Sequence, residues 1–292
     1  MKKIIKLVTV GVTILLLGGC FEKNNLENAN INTTVYPIEF LTKFLYENNA
    51  EVNSIYPAGV DIETYKLNKK QIKEYSKGDL FIYNGLTNEK QIAKELINQN
   101  KKMLIIDVSY GLKYTHGIEE LWLSPNNFLM LGKNIKEYLS EYVNNKYLIE
   151  EIEKNYLELE ETMSVMDAEL RNIALTADKE KKSKVIVTSS NVFKYLENYG
   201  FTVISLEDEE NLTSNNLNTI KKNFKDSTHD SILMLKSNEK TELINSLVND
   251  YKAKIIVVNE MYALDETEKN NNETYLSLMD EYIDNIRNIV LE

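Results

Sequence analysis

Cysteine occurs once in this 292-residue chain, at Cys20, so no internal disulfide can form and the folded parts must hold by packing. Histidine occurs twice, as His116 and His229, too few for an imidazole-rich metal site. The three prolines all lie at or before Pro125, which leaves the second half to helix packing with few rigid turns. Positive charge is also short: 34 Lys and Arg face 45 Asp and Glu, a net charge of −11. Such a surface is poorly suited to nucleic acid or to anionic headgroups, so neither is an expected partner. Missing too are a Gly-x-Ser-x-Gly elbow, a phosphate-binding Gly-x-x-x-x-Gly-Lys loop and a zinc-protease His-Glu-x-x-His. Paired carboxylates can hydrolyse glycosides, but no aromatic-rich groove surrounds such a pair, and no enzymatic activity is expected. His229, between Thr228 and Asp230, reads as a surface residue.

The longest apolar run, Leu7 to Leu17, falls short of the ~20 residues a membrane-spanning helix needs. Preceded by Lys2, Lys3 and Lys6 and followed by Gly18, Gly19 and Cys20, it reads as a secretory leader over residues 1–19. Leu-Gly-Gly-Cys looks like a bacterial lipobox, which makes Cys20 the expected lipidation site, carrying acyl chains such as palmitate. The place of the protein is then the outer face of a bacterial cytoplasmic membrane, held by lipid. Residues 20–30, polar and Asn-rich, read as a flexible tether.

What is abundant is periodicity. From Ile149 to Ala177, apolar residues fall at Ile149, Ile152, Tyr156, Leu159, Met163, Met166, Leu170, Ile173 and Ala177, a 3-4-3-4 stripe on one helix face. Neither Gly nor Pro interrupts the chain between Lys133 and Tyr199. Four heptads would also suffice for a dimeric coiled coil. Strand and helix signals alternate on both sides of the stripe, however, so a rod joining two similar halves is the better reading, and a monomer is expected.

Before it, strands are predicted near 31–36, 52–56, 79–84 and 102–108, with helices over 38–48, 69–75, 89–98 and 125–143. Residues 109–125 read as a connection ending in Ser124 as cap and Pro125 as first helical residue. After it, strands are predicted at 185–188, 202–206, 231–235 and 255–258, and helices at 191–198, 214–224, 239–249 and 275–291, with 265–272 a polar loop. Near-continuous apolar strands separated by helices indicate parallel sheets covered on both faces. The predicted fold class is therefore α/β: an N-terminal lobe over 31–144, a linking helix over 145–180 and a C-terminal lobe over 181–292.

Two α/β lobes, one long helix and a lipid tether resemble the cluster A-I solute-binding lipoproteins of ABC transporters, the zinc and manganese receptors. The resemblance rests on residues 33–40 (Thr-Thr-Val-Tyr-Pro-Ile-Glu-Phe), 57–65 (Pro-Ala-Gly-Val-Asp-Ile-Glu-Thr-Tyr) and 79–85 (Asp-Leu-Phe-Ile-Tyr-Asn-Gly). Leu121 to Pro125 (Leu-Trp-Leu-Ser-Pro), Val187 to Ser189 and Tyr275 to Met279 complete it. It implies capture of a solute between lobes and delivery to a membrane permease and its ATPase.

In that family, metal is usually held by three histidines and a carboxylate. The matching positions here read Glu63, Glu120, Ser190 and Asn259, with Glu260 beside the last. The set is all oxygen, which suits Mn²⁺, Ca²⁺ or Mg²⁺ better than Zn²⁺, or else a polar organic ligand. His116, four residues before Glu120, and Glu210, at the end of the acidic run 207–210, are the further candidates. Trp122 is expected to pack beneath the site. The resemblance thus implies import of a divalent metal ion or a metal-bearing ligand. The alternative is a surface lipoprotein of the same shape that has lost metal binding and serves as an adhesin, sensor or partner-binding subunit.

Overall fold

The computed structural model describes residues 26–57, 60, 62, 64–207, 212–225 and 230–292. Four strands, β1 (Ala29–Thr33), β2 (Ala50–Ser54), β3 (Leu80–Tyr83) and β4 (Leu104–Asp107), form a wholly parallel sheet in the order β2-β1-β3-β4. They are linked through α1 (Tyr36–Tyr46), α2 (Lys69–Tyr75) and α3 (Glu89–Gln99). A short turn of helix, α4 (Glu120–Leu123), leads into α5 (Pro125–Tyr142) and the rod α6 (Lys146–Glu180). The second sheet repeats the first: β5 (Val185–Thr188), β6 (Thr202–Ser205), β7 (Ser231–Leu235) and β8 (Lys254–Val258), all parallel in the order β6-β5-β7-β8. Its helices are α7 (Ser214–Lys225), α8 (Glu242–Tyr251), α9 (Glu266–Asn270) and α10 (Tyr275–Leu291). Among the described residues no helix is long and apolar enough to cross a membrane.

The rod spans 35 residues, roughly 52 Å at 1.5 Å per residue. It starts where the Asn145 side chain accepts the N–H groups of Tyr147 and Leu148, and it ends at Lys181, whose φ of 58° is left-handed. Its apolar stripe is buried by the chain's own α1, α5 and α10, so no seam is left for a coiled-coil partner. The stripe begins one residue earlier than its spacing suggests: Leu148 is buried and Ile149 half-buried. Two polar pins fix it along its length, one to α1 and one to α10. Asn155 Nδ2 donates to the Leu45 carbonyl at 3.1 Å, and Arg287 pairs with Glu169 at 2.6 Å.

The lobes are bolted together as well as linked. Trp122 Nε1 donates to the Glu260 carbonyl at 2.8 Å, while Tyr275 Oη donates to the Trp122 carbonyl at 2.6 Å. Tyr195 Oη donates to the Leu123 carbonyl at 2.7 Å, and Phe128 stacks on Tyr275 with centroids 3.7 Å apart. One hydrophobic core runs from β1 through these residues to α10, and a smaller one lies under α7 and α8. Separating the lobes would exchange these bonds for bonds to water and expose the apolar seam around them, and the second effect is the larger cost.

Five local expectations are corrected. Residues 109–125 contain α4, the polar loop 265–272 contains α9, and 191–199 is a 3₁₀ segment in place of an α-helix. Ser124 makes no side-chain cap bond. The helix expected from 239 begins at Glu242, where Thr241 Oγ1 accepts the Ile244 N–H at 3.3 Å.

Candidate functional site

In each sheet the chain leaves neighbouring strands in opposite directions at one point, between β1 and β3 and between β5 and β7. Ligands of open parallel sheets sit outside the carboxyl ends of strands at such points. Ser190 follows β5, and Leu235, Ser237 and Asn238 lie at the end of β7. Together with Tyr114, His116, Gly117, Ile118 and Glu119 from the first half and Tyr262 from beyond β8, they wall a cleft of about 700 Å³. A second recess of about 280 Å³ adjoins it, sharing Ile62, Tyr114, Ile118 and Tyr262 and reaching Leu86 and Glu89.

Ser190 Oγ donates to Glu207 Oε2 at 2.8 Å, and the Asn191 N–H donates to the same oxygen. Across the cleft, Tyr262 Oη donates to Glu119 Oε1. Tyr262 also meets Trp122 edge to face at 5.8 Å, which places the buried Trp122 beneath this wall. Both carboxylates therefore reach the cleft already oriented by one internal donor set. An ionised carboxylate accepts at roughly four positions, so further donors or a cation can still be met.

Of the positions expected from sequence, the structure brings Ser190 and His116 to this cleft. Glu120 lies one step away and is only 6% exposed. Its carboxylate accepts the N–H groups of Thr115 at 3.1 Å and His116 at 2.7 Å, tying down the loop that enters α4. Asn259 is turned aside: its Oδ1 accepts the Met261 N–H at 2.6 Å and its Nδ2 donates to Glu268, in a recess against α10. Glu260 is buried, its Oε1 accepting the Ser237 N–H at 2.6 Å. Glu63, Glu210 and Cys20 lie outside the described residues, as does His229. Among the described residues no group of three His, Cys, Asp or Glu side chains is placed to hold a metal ion.

Sequence reasoning did not single out Glu119, Tyr262 or Tyr114. Glu119 stands next to the chosen Glu120, and Tyr262 follows the chosen Asn259 and Glu260 by a short step. Met261, at φ 60°, explains the second displacement. A left-handed residue there reverses the chain, sending Asn259 to one side and Tyr262 to the other.

A further acid lies behind the recess. Glu89 is 1% exposed and its Oε2 accepts the Asn84 N–H at 2.8 Å, while Tyr56 Oη donates to Oε1 at 3.4 Å. Burial pushes its carboxyl up to about 7 against the pull of these bonds, with Asp107 adding repulsion. Burial likewise raises the Tyr56 hydroxyl, with the neighbouring Glu89 charge pushing the same way.

The model of the family described as "ZnuA: Zinc-uptake complex component A periplasmic" matches residues 31–289. The manganese ABC transporter substrate-binding lipoprotein PsaA of Streptococcus mitis is 27% identical over 67% of this chain and 68% of its own length. The zinc-binding lipoprotein AdcA of Streptococcus pneumoniae is 25% identical over 96% of this chain, which spans 59% of that longer protein. The high-affinity zinc uptake system protein ZnuA of Bacillus subtilis is 22% identical over 99% of this chain and 98% of its own. Among solved structures, the metal-dependent lipoprotein YcdH of Bacillus subtilis superposes with a TM-score of 0.72 at 22% identity, covering 90% of this chain and all of that one. The Zn(II)-bound ZnuA-like domain of Streptococcus pneumoniae AdcA gives 0.70 at 24%, covering 91% and 100%. At such identities the structures speak for the fold. The family model, spanning both sheets and the rod between them, speaks for descent: the chain belongs to the ZnuA family of zinc-uptake complex components.

Proposed function

We propose that this protein is the substrate-binding lipoprotein of an ABC importer, capturing a divalent metal, as an ion or in a metal-bearing ligand, between its two lobes. The observation that carries the reading is the cleft itself: it opens at the carboxyl end of the second sheet, is walled by both halves, and occurs in a chain whose family match spans both. Relatives named as manganese and zinc receptors support it. On this reading Cys20 carries the lipid, the lobes divide at the linking helix over 145–180, and a permease and ATPase receive the cargo. The protein acts as a monomer on the outer face of the membrane and performs no catalysis. Ser190, His116, Glu119 and Glu207 form the described part of the capture wall, with Glu63 and Glu210 assigned to complete it.

A second reading has its own support. Glu120, Asn259 and Glu260 spend their oxygens on the protein's own N–H groups, as in a scaffold that has left metal binding and become an adhesin, sensor or partner-binding subunit. Cellular metal content separates the two. Deleting the gene in metal-limited medium should lower accumulation of one divalent metal several-fold, with recovery on complementation. Unchanged accumulation of every metal would refute the transport reading.

A further inference from the structure

The walls of the cleft carry more chemistry than a bare ion uses. A hexahydrated divalent ion occupies roughly 180 Å³, at ~30 Å³ for each water. The cleft of about 700 Å³ and its adjoining recess of about 280 Å³ fall in the range of small-molecule sites, about 300–1,000 Å³. The four residues the two cavities share, Ile62, Tyr114, Ile118 and Tyr262, are apolar or aromatic, and Leu86 extends that surface inward. A bare ion gains nothing from such a wall, since desolvation of a charge beside aliphatic groups is a cost.

Charge points the same way as shape. Among the described residues, Glu119 and Glu207 are the carboxylates on the wall of the large cleft, contributed by different halves of the chain. No Lys or Arg lines the cleft or the recess among the described residues. The contrast with the other hollows is plain: the recess against α10 holds Lys236, and the groove beside α1 holds Lys43 and Lys269. A cation would meet two carboxylates already aimed by Tyr262 and Ser190, in a cleft that the aromatic side chains of Tyr114 and Tyr262 also line. An anion would meet repulsion from both sides.

We infer that the interlobe cleft is built for a cation carrying an apolar organic body, a metal chelate or an organic ammonium ion, in preference to a bare metal ion. The charged head sits between Glu119 and Glu207, and the apolar body extends past Ile118 and Ile62 towards Leu86. This inference rests on the reading of the protein as a solute receptor: a chelate narrows the metal-bearing cargo proposed above, and an organic ammonium ion replaces it.

The test is titration calorimetry on the full chain in non-ionic detergent, with micelles alone as blank. The probes are Zn²⁺, Mn²⁺, the 1:1 Zn²⁺ complex of 1,10-phenanthroline, benzyltrimethylammonium, and the uncharged benzyl alcohol. The expected result is binding of a cationic organic probe at least tenfold tighter than either bare ion and than benzyl alcohol. Preference for the phenanthroline complex would mark a chelate as the natural cargo, and preference for benzyltrimethylammonium an organic ammonium ion. Ile118→Lys should abolish binding of both cationic probes, and Glu207→Gln should weaken it several-fold. Should Glu207→Gln disturb the fold, Glu119→Gln, which keeps an acceptor for the Tyr262 hydroxyl, should weaken binding of both cationic probes several-fold in its place. Bare Zn²⁺ or Mn²⁺ binding as tightly as the chelate would overturn the inference while leaving the transport reading in place. Equal binding of benzyl alcohol, or no binding of either cationic probe, would overturn it too. The transport reading fails separately, on unchanged cellular metal content.

Discussion

Glu89 gives the sharpest test of the physical reasoning, because its cost changes with pH in a defined direction. Its carboxyl is raised from 4.5 to about 7 by burial. At ~1.4 kcal/mol per pH unit, that is a cost of about 3 kcal/mol for holding the ionised form in the folded protein. Below pH 4.5 the acid is protonated whether the chain is folded or not, and the cost is absent. Between 4.5 and 7 the folded state binds more protons than the unfolded one, so stability falls as pH rises; above 7 the loss is complete. Glu89→Gln removes the ionisation and keeps an acceptor for the Asn84 N–H. Its amide can still pair with the buried Thr34 hydroxyl, whose hydrogen bond to the carboxyl opposes the effect of burial. Thermal unfolding followed by circular dichroism from pH 4.5 to 8.5 should therefore show variant and native protein close together in acid. They should diverge through the window to a difference of about 3 kcal/mol, or about 5 °C for a chain of this length. A difference that does not change with pH, or a variant less stable than the native protein above pH 7, would refute the assignment.

Two further substitutions test the frame around the cleft. At Gly85, just after β3, an added Cβ would overlap the Asp107 carboxylate, which accepts from the Gly85 N–H at 2.8 Å and from Ser109 Oγ at 2.7 Å. Gly85→Ala should cost about 2–4 kcal/mol in urea unfolding, and Asp107→Ala should recover part of it; simple additivity of the two would contradict the contact. Tyr275→Phe keeps the stack on Phe128 but strips the buried Trp122 carbonyl of its donor. A loss of about 1–3 kcal/mol is expected, and a loss below ~0.5 kcal/mol would mean the bolt between the lobes is not held by that bond.

Much of the architecture was legible because it is carried by long or sharply punctuated segments. The stripe from Ile149 announced the rod, and Gly200 closed the segment before β6 with φ 96°, a conformation that glycine adopts without strain. The helix expected over 69–75 is α2, and the structure shows what fixes its start: Asn68 and Gln71 form a capping box. What escaped was short: α4 and α9 are one turn each, below the length at which helical periodicity can register. The site was legible to within a residue or two and no closer. Neighbours on a helical turn point ~100° apart, so a matching position could not say whether Glu119 or Glu120 faces the cleft. Spacing could not anticipate the reversal at Met261 that exchanges Asn259 for Tyr262. Nor did composition distinguish Glu89 from the chain's many surface glutamates; only the fold around β3 buries it.

The rod carries a consequence for how this chain can vary over generations. Its outward face already tolerates Leu157, Val165 and Leu175 in contact with solvent, so replacements there should be nearly free. Its length is another matter. Losing or gaining a single residue between Asn155, pinned to the first lobe, and Glu169, pinned to α10, would turn one half of the molecule by ~100° against the other and shift it by ~1.5 Å. Trp122 and Tyr275 could not then meet across the seam. Substitutions can accumulate along this helix, while insertions and deletions are barred from it and confined to the loops, where a change in length leaves the relative angle of the two sheets untouched.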